Sequence, residues 1–310
     1  MRDQQLKNIW IALLLVAVLV AACSSTSATT PPVMPERTLA PTEPVEPTPE
    51  LVDEFASQLE EFNAESFDNP TLVSNQWLPL EPGMQYIYEG VTEDGGEITE
   101  HQVVITVTDL TKVIEGINTV VTWDEDYSGG ELVETELAFY AQDNLGNVWR
   151  MGEYPEVYEN NILVEAPAWI SGLKGALAGI MMAADPGSEN RSFSQGWGPA
   201  VGFTDRWKVD RFENENCVSL DCYKNVLVTS EYSETEPDAF QLKYYAPGIG
   251  NVRVGWVGLD ATREELELVE LKKLTIDELA GAREKALELE ARAYQISKEV
   301  YDQTPPSEGP

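Results

Sequence analysis

What most constrains the fold is a series of short runs of β-branched and aromatic residues, each bounded by turn formers. Tyr86-Ile87-Tyr88, Val103 to Val107, Thr119 to Trp123, Leu137 to Tyr140, Val148-Trp149, Val226 to Thr229, Phe240 to Tyr245 and Val252 to Val254 are such runs. Asp94-Gly95-Gly96, Glu115-Gly116, Ser128-Gly129-Gly130, Leu145-Gly146-Asn147 and Pro247-Gly248 punctuate them. Side chains of this kind suit a pleated, half-buried surface. Connections this short join antiparallel neighbours, because a parallel crossover needs a dozen residues or more.

An internal repeat orders these runs. FYAQDNLGNVW at 139–149 matches YYAPGIGNV at 244–252, so that Tyr140 answers Tyr245. Upstream, Val120-Val121-Thr122 answers Leu227-Val228-Thr229, and Gln85 to Tyr88 answers Ser192 to Gln195, at nearly the same offset. The expectation is a mainly β protein: a duplicated antiparallel β-meander, with units near 83–152 and 187–258, forming a curved sheet or half-barrel within a domain spanning 51–274.

Between the units lies APAWISGLKGALAGIMMAADPG, apolar and rich in Gly and Ala. It is expected to cross between two sheets as buried coil or a short helix, either simply packed or lining a ligand groove with Trp169, Gly172, Met181 and Met182. A strand is expected at Glu265 to Leu271. Thr275-Ile276-Asp277-Glu278 then has the form of a capping box, opening an amphipathic helix over 275–303 that ends near Tyr301, with a disordered tail at 304–310. Leu279, Ala282, Ala286, Leu289, Ala293, Ile296 and Val300 make one stripe, for docking on the protein's own sheet or on a partner. A shorter helix is expected at Leu51 to Phe62.

The N-terminus carries an address. Arg2 and Lys7 precede an unbroken apolar run from Ile9 to Val20, too short for a membrane span, and Ala21-Ala22-Cys23 follows. This arrangement resembles the lipobox of bacterial lipoproteins, which implies cleavage after residue 22 and a diacylglycerol on Cys23. An ordinary cleaved signal or an uncleaved helix are the alternatives. Residues 23–50 include seven Pro and nine Ser or Thr, a composition that buries no core and reads as a disordered tether. Its extended reach is up to ~85 Å at ~3.1 Å per residue. The expected location is the extracytoplasmic face of the cell membrane, with the lipid anchor as the membrane contact.

Charge and cysteine content narrow the chemistry. With 20 basic against 54 acidic side chains the net charge is −34, which disfavours nucleic acid and other polyanions as partners. Cys217 and Cys222 are expected to form a disulfide in an exported chain, with metal binding the alternative. His101 is the single histidine, and no GxSxG, HExxH or phosphate-loop motif is present, so multi-histidine metal sites and Ser-His-Asp triads are disfavoured. Asp124, Asp126, Ser128 and Glu131 open like a calcium loop, although Thr135 stands where an EF-hand needs glutamate; a solvated hairpin turn is the other reading. No other cofactor is expected.

FDNP at 67–70, PLEPG at 79–83, YEG at 88–90, ELVET at 131–135, YAQDNLGNVW at 140–149, MAADP at 182–186 and KYYAPGIG at 243–250 together resemble a family of exported, β-rich bacterial proteins without assigned activity. The resemblance covers roughly 65–270 and implies export and a β fold, with no catalytic residue to carry over. The function expected is therefore a noncatalytic surface-anchored lipoprotein whose β domain binds an envelope ligand or partner. A lipid-carrying half-barrel and an envelope hydrolase with paired carboxylates are the alternatives.

Overall fold

The computed structural model describes residues 59–187, 191–233 and 238–310. The signal segment, Cys23, the tether and most of the Leu51 to Phe62 helix lie outside the described residues. The last residues of that expected helix, Leu59 to Phe62, are not helical; Phe62 packs on Phe67 and Trp149 instead, and a single 3-10 turn follows at Ala64–Ser66.

Five long strands come first: β1 (Met84–Asp94), β2 (Glu97–Ile114), β3 (Ile117–Ser128), β4 (Glu131–Gln142) and β5 (Val148–Glu159). Shorter pieces follow in β6 (Ile162–Glu165), β7 (Trp169–Ile170), β8 (Leu177–Met182), β9 (Ser192–Ser194) and β10 (Gly196–Trp197). A second long series is β11 (Arg206–Cys217), β12 (Cys222–Tyr232), β13 (Ala239–Ala246), β14 (Gly250–Gly258) and β15 (Thr262–Lys273). Each run read as β from the sequence falls inside one of these strands. The hairpins between β1 and β2 and between β3 and β4 turn on Gly95-Gly96 and Gly129-Gly130, with positive φ at both residues of each pair. Such two-residue turns match the twist of the strands they join.

Thirteen of the strands form one antiparallel path in the order β10-β8-β5-β4-β3-β2-β1-β15-β14-β13-β12-β11-β9, with β6 and β7 added beside β5. The path bends into a nearly closed barrel. Its two ends meet because β9 pairs with β11 while β10, one residue further on, pairs with β8. The approach is so close that a Cβ on Gly179 of β8 would stand 2.3 Å from the Gly196 nitrogen, which explains the small residues of this stretch. The Ala166 to Gly187 segment thus supplies β7 and β8 to one sheet, in place of the expected helix or coil between two.

The repeated sequence occupies equivalent hairpins, β4–β5 and β13–β14. Each carries a register shift at the matching tyrosine, between Phe139 and Tyr140 and between Tyr244 and Tyr245. Both turns lie under the entering chain: Asn75 Nδ2 donates to Gly146 O at 2.9 Å, and Gly248 N donates to Gln76 O at 2.6 Å. β15 extends past the expected second unit and pairs along β1, from Met84 against Lys273 to Asp94 against Thr262.

Helix α1 (Ile276–Ile296) starts at Thr275 with both halves of the capping box formed, which satisfies two otherwise orphaned N–H groups and contributes about 1 kcal/mol. It ends earlier than expected, at Ser297, whose N–H donates to Ala293 O. Ala282, Ala286, Leu289 and Ala293 are buried on the protein's own sheet, chiefly over β2 and β4; burial of Leu289 alone contributes roughly 2 kcal/mol. The small alanines bring the helix axis close enough for Glu290 to reach Lys112 Nζ at 2.9 Å. The tail is ordered where disorder was expected: Glu308 forms a backbone bridge with Thr111, and Ser307 Oγ donates to Glu290 Oε1 at 2.8 Å. Cys217 and Cys222 stand opposite each other at the tip of the β11–β12 hairpin and are joined by a disulfide.

Candidate functional site

Alternation along β3 and β4 decides which side chains face inward. Thr122, Asp124 and Asp126 on β3 and Glu134, Glu136 and Tyr140 on β4 line an interior cavity of about 160 Å3. The intervening Val121, Leu137 and Phe139 pack in the core, and Phe139 meets Tyr301 under α1. Register then places like charges directly opposite one another, Asp124 against Glu136 and Asp126 against Glu134. Cross-strand pairs of one sign oppose sheet formation unless protons or cations neutralise them.

The remaining wall divides by chemistry. Leu78, Pro79 and Leu80 from the entering chain, Val103 and Ile105 from β2, and Val254 and Leu266 from β14 and β15 make an apolar side. Tyr86, Tyr88, Tyr140 and Tyr245 complete the lining around the carboxyls. Tyr88 donates its hydroxyl to Asn251 O at 2.9 Å. The acidic side adds Glu231 and receives two cations, Arg150 and Lys243. Arg150 is already engaged: its Nη2 lies 2.6 Å from Glu136 Oε1 and also pairs with Glu153.

His101, the single histidine, is buried. Its Nε2 lies 2.7 Å from Asp126 Oδ1, and its Nδ1 lies 3.0 Å from both Thr92 Oγ1 and Glu264 Oε1. Burial works against a charge on the ring, but the hydrogen bonds and the charges of Asp126 and Glu264 outweigh it and raise the pKa to about 10. His101 is therefore an imidazolium clamped between two carboxylates, which disqualifies it as a general base near neutral pH.

Burial pushes the other carboxyls the opposite way in charge. Asp124 and Glu134 lie well above the ordinary carboxylate range, first because they are desolvated and then because Glu136 stands beside each. Asp205, which neighbours Glu231, rises to about 8 for the same two reasons. Glu134 Oε2 and Asp126 Oδ2 are buried with no hydrogen-bond partner in the protein. A buried acceptor left bare costs ~1–3 kcal/mol, so these atoms mark where something else completes the site.

The sequence-derived candidates distribute unevenly over this geometry. Asp124 and Asp126 face the cavity, whereas Ser128 and the exposed Glu131 sit across the Gly129-Gly130 turn from each other. The calcium loop is not formed: among the described residues no group of three or more His, Cys, Asp or Glu is placed to hold a metal ion. The strand pleat separates alternate side chains, where an EF-hand loop would converge them. Of the groove residues, only Met181 lines the cavity. Met182 is fully buried in the core, Trp169 stacks on Phe203 with ring centroids 4.9 Å apart, and Gly172 packs beside Glu115.

Among solved structures, the chain is similar to a candidate exported protein with a YmcC-like fold from Bacteroides fragilis, at 13% identity and TM-score 0.37 over 64% of this chain and 100% of that one. It is also similar to a candidate lipoprotein from Parabacteroides distasonis, at 11% identity and TM-score 0.35 over 64% and 99% of the two chains. A DUF1329 family protein from Desulfovibrio piger gives 7% identity and TM-score 0.24 over 62% and 86%. No family model and no curated protein matches the sequence.

Proposed function

We propose that this chain is a noncatalytic binding protein, exported and held on the extracytoplasmic face of the cell membrane by a lipidated Cys23, and that its barrel interior is the ligand site. The observation that carries the reading is the cavity itself, lined by Glu134 and Asp126, each with a bare buried oxygen, and by Thr122, Arg150 and Gln195, each with a buried polar atom that has no partner in the protein. Native interiors rarely leave such atoms unpaired without a ligand or ordered water to serve them. A volume of about 160 Å3 is below the ~300–1,000 Å3 of pockets for drug-sized ligands, which favours a small molecule over the acyl chains of a lipid carrier.

The cavity is tested by melting the purified protein with a panel of compact probes of both charges and none. At least one probe at millimolar concentration should raise Tm by several degrees, and the shift should vanish in Val103→Phe, which fills the apolar side. Were no probe of any charge to move Tm, the cavity would not be a binding site. The anchor has a separate readout. Cys23→Ser in the producing cell should move the protein from the membrane pellet to the soluble fraction; a variant that still sediments with membranes removes the lipid anchor from the proposal.

A further inference from the structure

Resting on the cavity reading above, we propose that the ligand is a compact organic ammonium ion, its charge seated among Asp124, Asp126 and Glu134 and its carbon groups against the rings of Tyr88, Tyr140 and Tyr245. The first argument is charge. Asp124, Asp126, Glu134, Glu136 and Glu231 on the cavity wall face two cations of that wall, Arg150 and Lys243, and the His101 imidazolium beside Asp126; Arg150 is already held by Glu136 and Glu153, and His101 is shared with Glu264. An anionic ligand would meet repulsion from this wall.

The second argument is donor and acceptor balance. The bare atoms Glu134 Oε2 and Asp126 Oδ2 are 5% and 3% exposed at the residue level, and both accept hydrogen bonds or cations when ionised. The two opposed pairs, Asp124 with Glu136 and Asp126 with Glu134, concentrate that demand on one patch. A bare metal ion would need converging ligands, and no such group is present among the described residues.

The third argument is shape and surface. Tyrosine rings attract cations through their negative faces, most strongly where water is excluded, and favour alkylammonium groups for that reason. The cavity, about 160 Å3, is close to the roughly 150 Å3 of an engineered cavity that admits benzene. A ligand of about that size, such as choline or a short alkylamine, fits the space. In the empty protein, burial keeps Asp124 and Glu134 protonated beyond the usual range; an arriving ammonium ion displaces a proton, so affinity should climb with pH.

Calorimetric titration of the full chain with choline and with its neutral isostere 3,3-dimethylbutan-1-ol decides the matter. Choline should bind at least tenfold more tightly than the alcohol at pH 8, its affinity should increase severalfold from pH 6 to pH 8, and heats in buffers of different ionisation enthalpy should show proton release. Glu134→Gln, and independently Asp124→Asn, should lower choline affinity at least tenfold, towards that of the alcohol, and abolish its increase with pH. If the alcohol binds as tightly as choline, the ammonium proposal fails and the cavity reading stands. If neither binds while other compact probes shift Tm, the result is the same; if no probe of any charge acts, both fall together.

Discussion

Lys112→Ala should destabilise the protein by ~3–5 kcal/mol, because it removes a fully buried cation on which the helix and the tail converge. Lys112 Nζ donates to Glu290 Oε1 at 2.9 Å, to Tyr294 Oη at 3.1 Å and to Pro305 O at 2.7 Å, and lies 4.3 Å from the centroid of the Tyr301 ring. Burial lowers its pKa and Glu290 partly restores it, so the pair is held in balance inside the sheet–helix interface. Truncation leaves Glu290 buried with hydroxyl and amide donors from Tyr301 and Ser307 but no countercharge. A fall in Tm of ~10 °C is expected for a domain of this size. Lys112→Met combined with Glu290→Gln should recover most of the loss, since it removes both charges and keeps the volume. Hydrogen exchange should quicken across 276–308 in the single variant alone; a loss under 1 kcal/mol would show that the buried pair holds nothing together.

The second large effect is an inverted response to pH. Asp124, Glu134 and Asp205 hold their protons more tightly folded than unfolded, the last from an ordinary 3.8 up to about 8. Their contribution is fully present below pH 4 and is lost as pH rises through the folded values. His101 follows the same sign: raised from 6.5 to about 10, its stabilisation is complete below 6.5 and disappears as pH passes through 10. The exposed Glu278, Glu288 and Glu299, whose pKa values are lowered by local partners, oppose this only at the acid end and on the screened surface. Ligand-free protein should therefore melt on the order of 10 °C higher at pH 5 than at pH 9. Asp205→Asn should flatten the slope between pH 4 and 8. A Tm that is constant or climbs over pH 5 to 9 would contradict the assignment of these protons.

Much of the architecture was legible because its determinants are local. Glycine pairs with positive φ, β-branched runs and the Thr275 to Glu278 box each specify their element within a few residues. β11, RWKVDRFENENC, carried no such signal: its outer positions are charged and several are exposed, so neither alternation nor apolar content marked it. The Ala166 to Gly187 stretch misled for a related reason, since small residues at a backbone crossing look the same as small residues in a coil.

The site was half legible. Period-two spacing in Thr122-x-Asp124-x-Asp126 and Glu134-x-Glu136 already put these carboxyls on shared strand faces. A cluster of acids in a chain this acidic suggested solvent, however, and sequence alone offered no register to set Asp124 against Glu136. His101 was unreadable for the same reason: its partners Asp126 and Glu264 come from β3 and from β15, brought together only when the sheet curves round.

That curvature also sets an order of events. β1 finds its neighbour in β15, Tyr88 reaches Asn251 across 163 residues, and Lys112 reaches Glu290 across 178. A chain leaving a ribosome or a translocation pore in sequence order presents β1 and Lys112 long before the strand and helix that cover them exist. Contacts so distant in sequence close slowly, because loop entropy is lost before they form. The nascent barrel must therefore remain open until its C-terminal quarter has emerged, and its exposed β1 edge needs shelter for that interval.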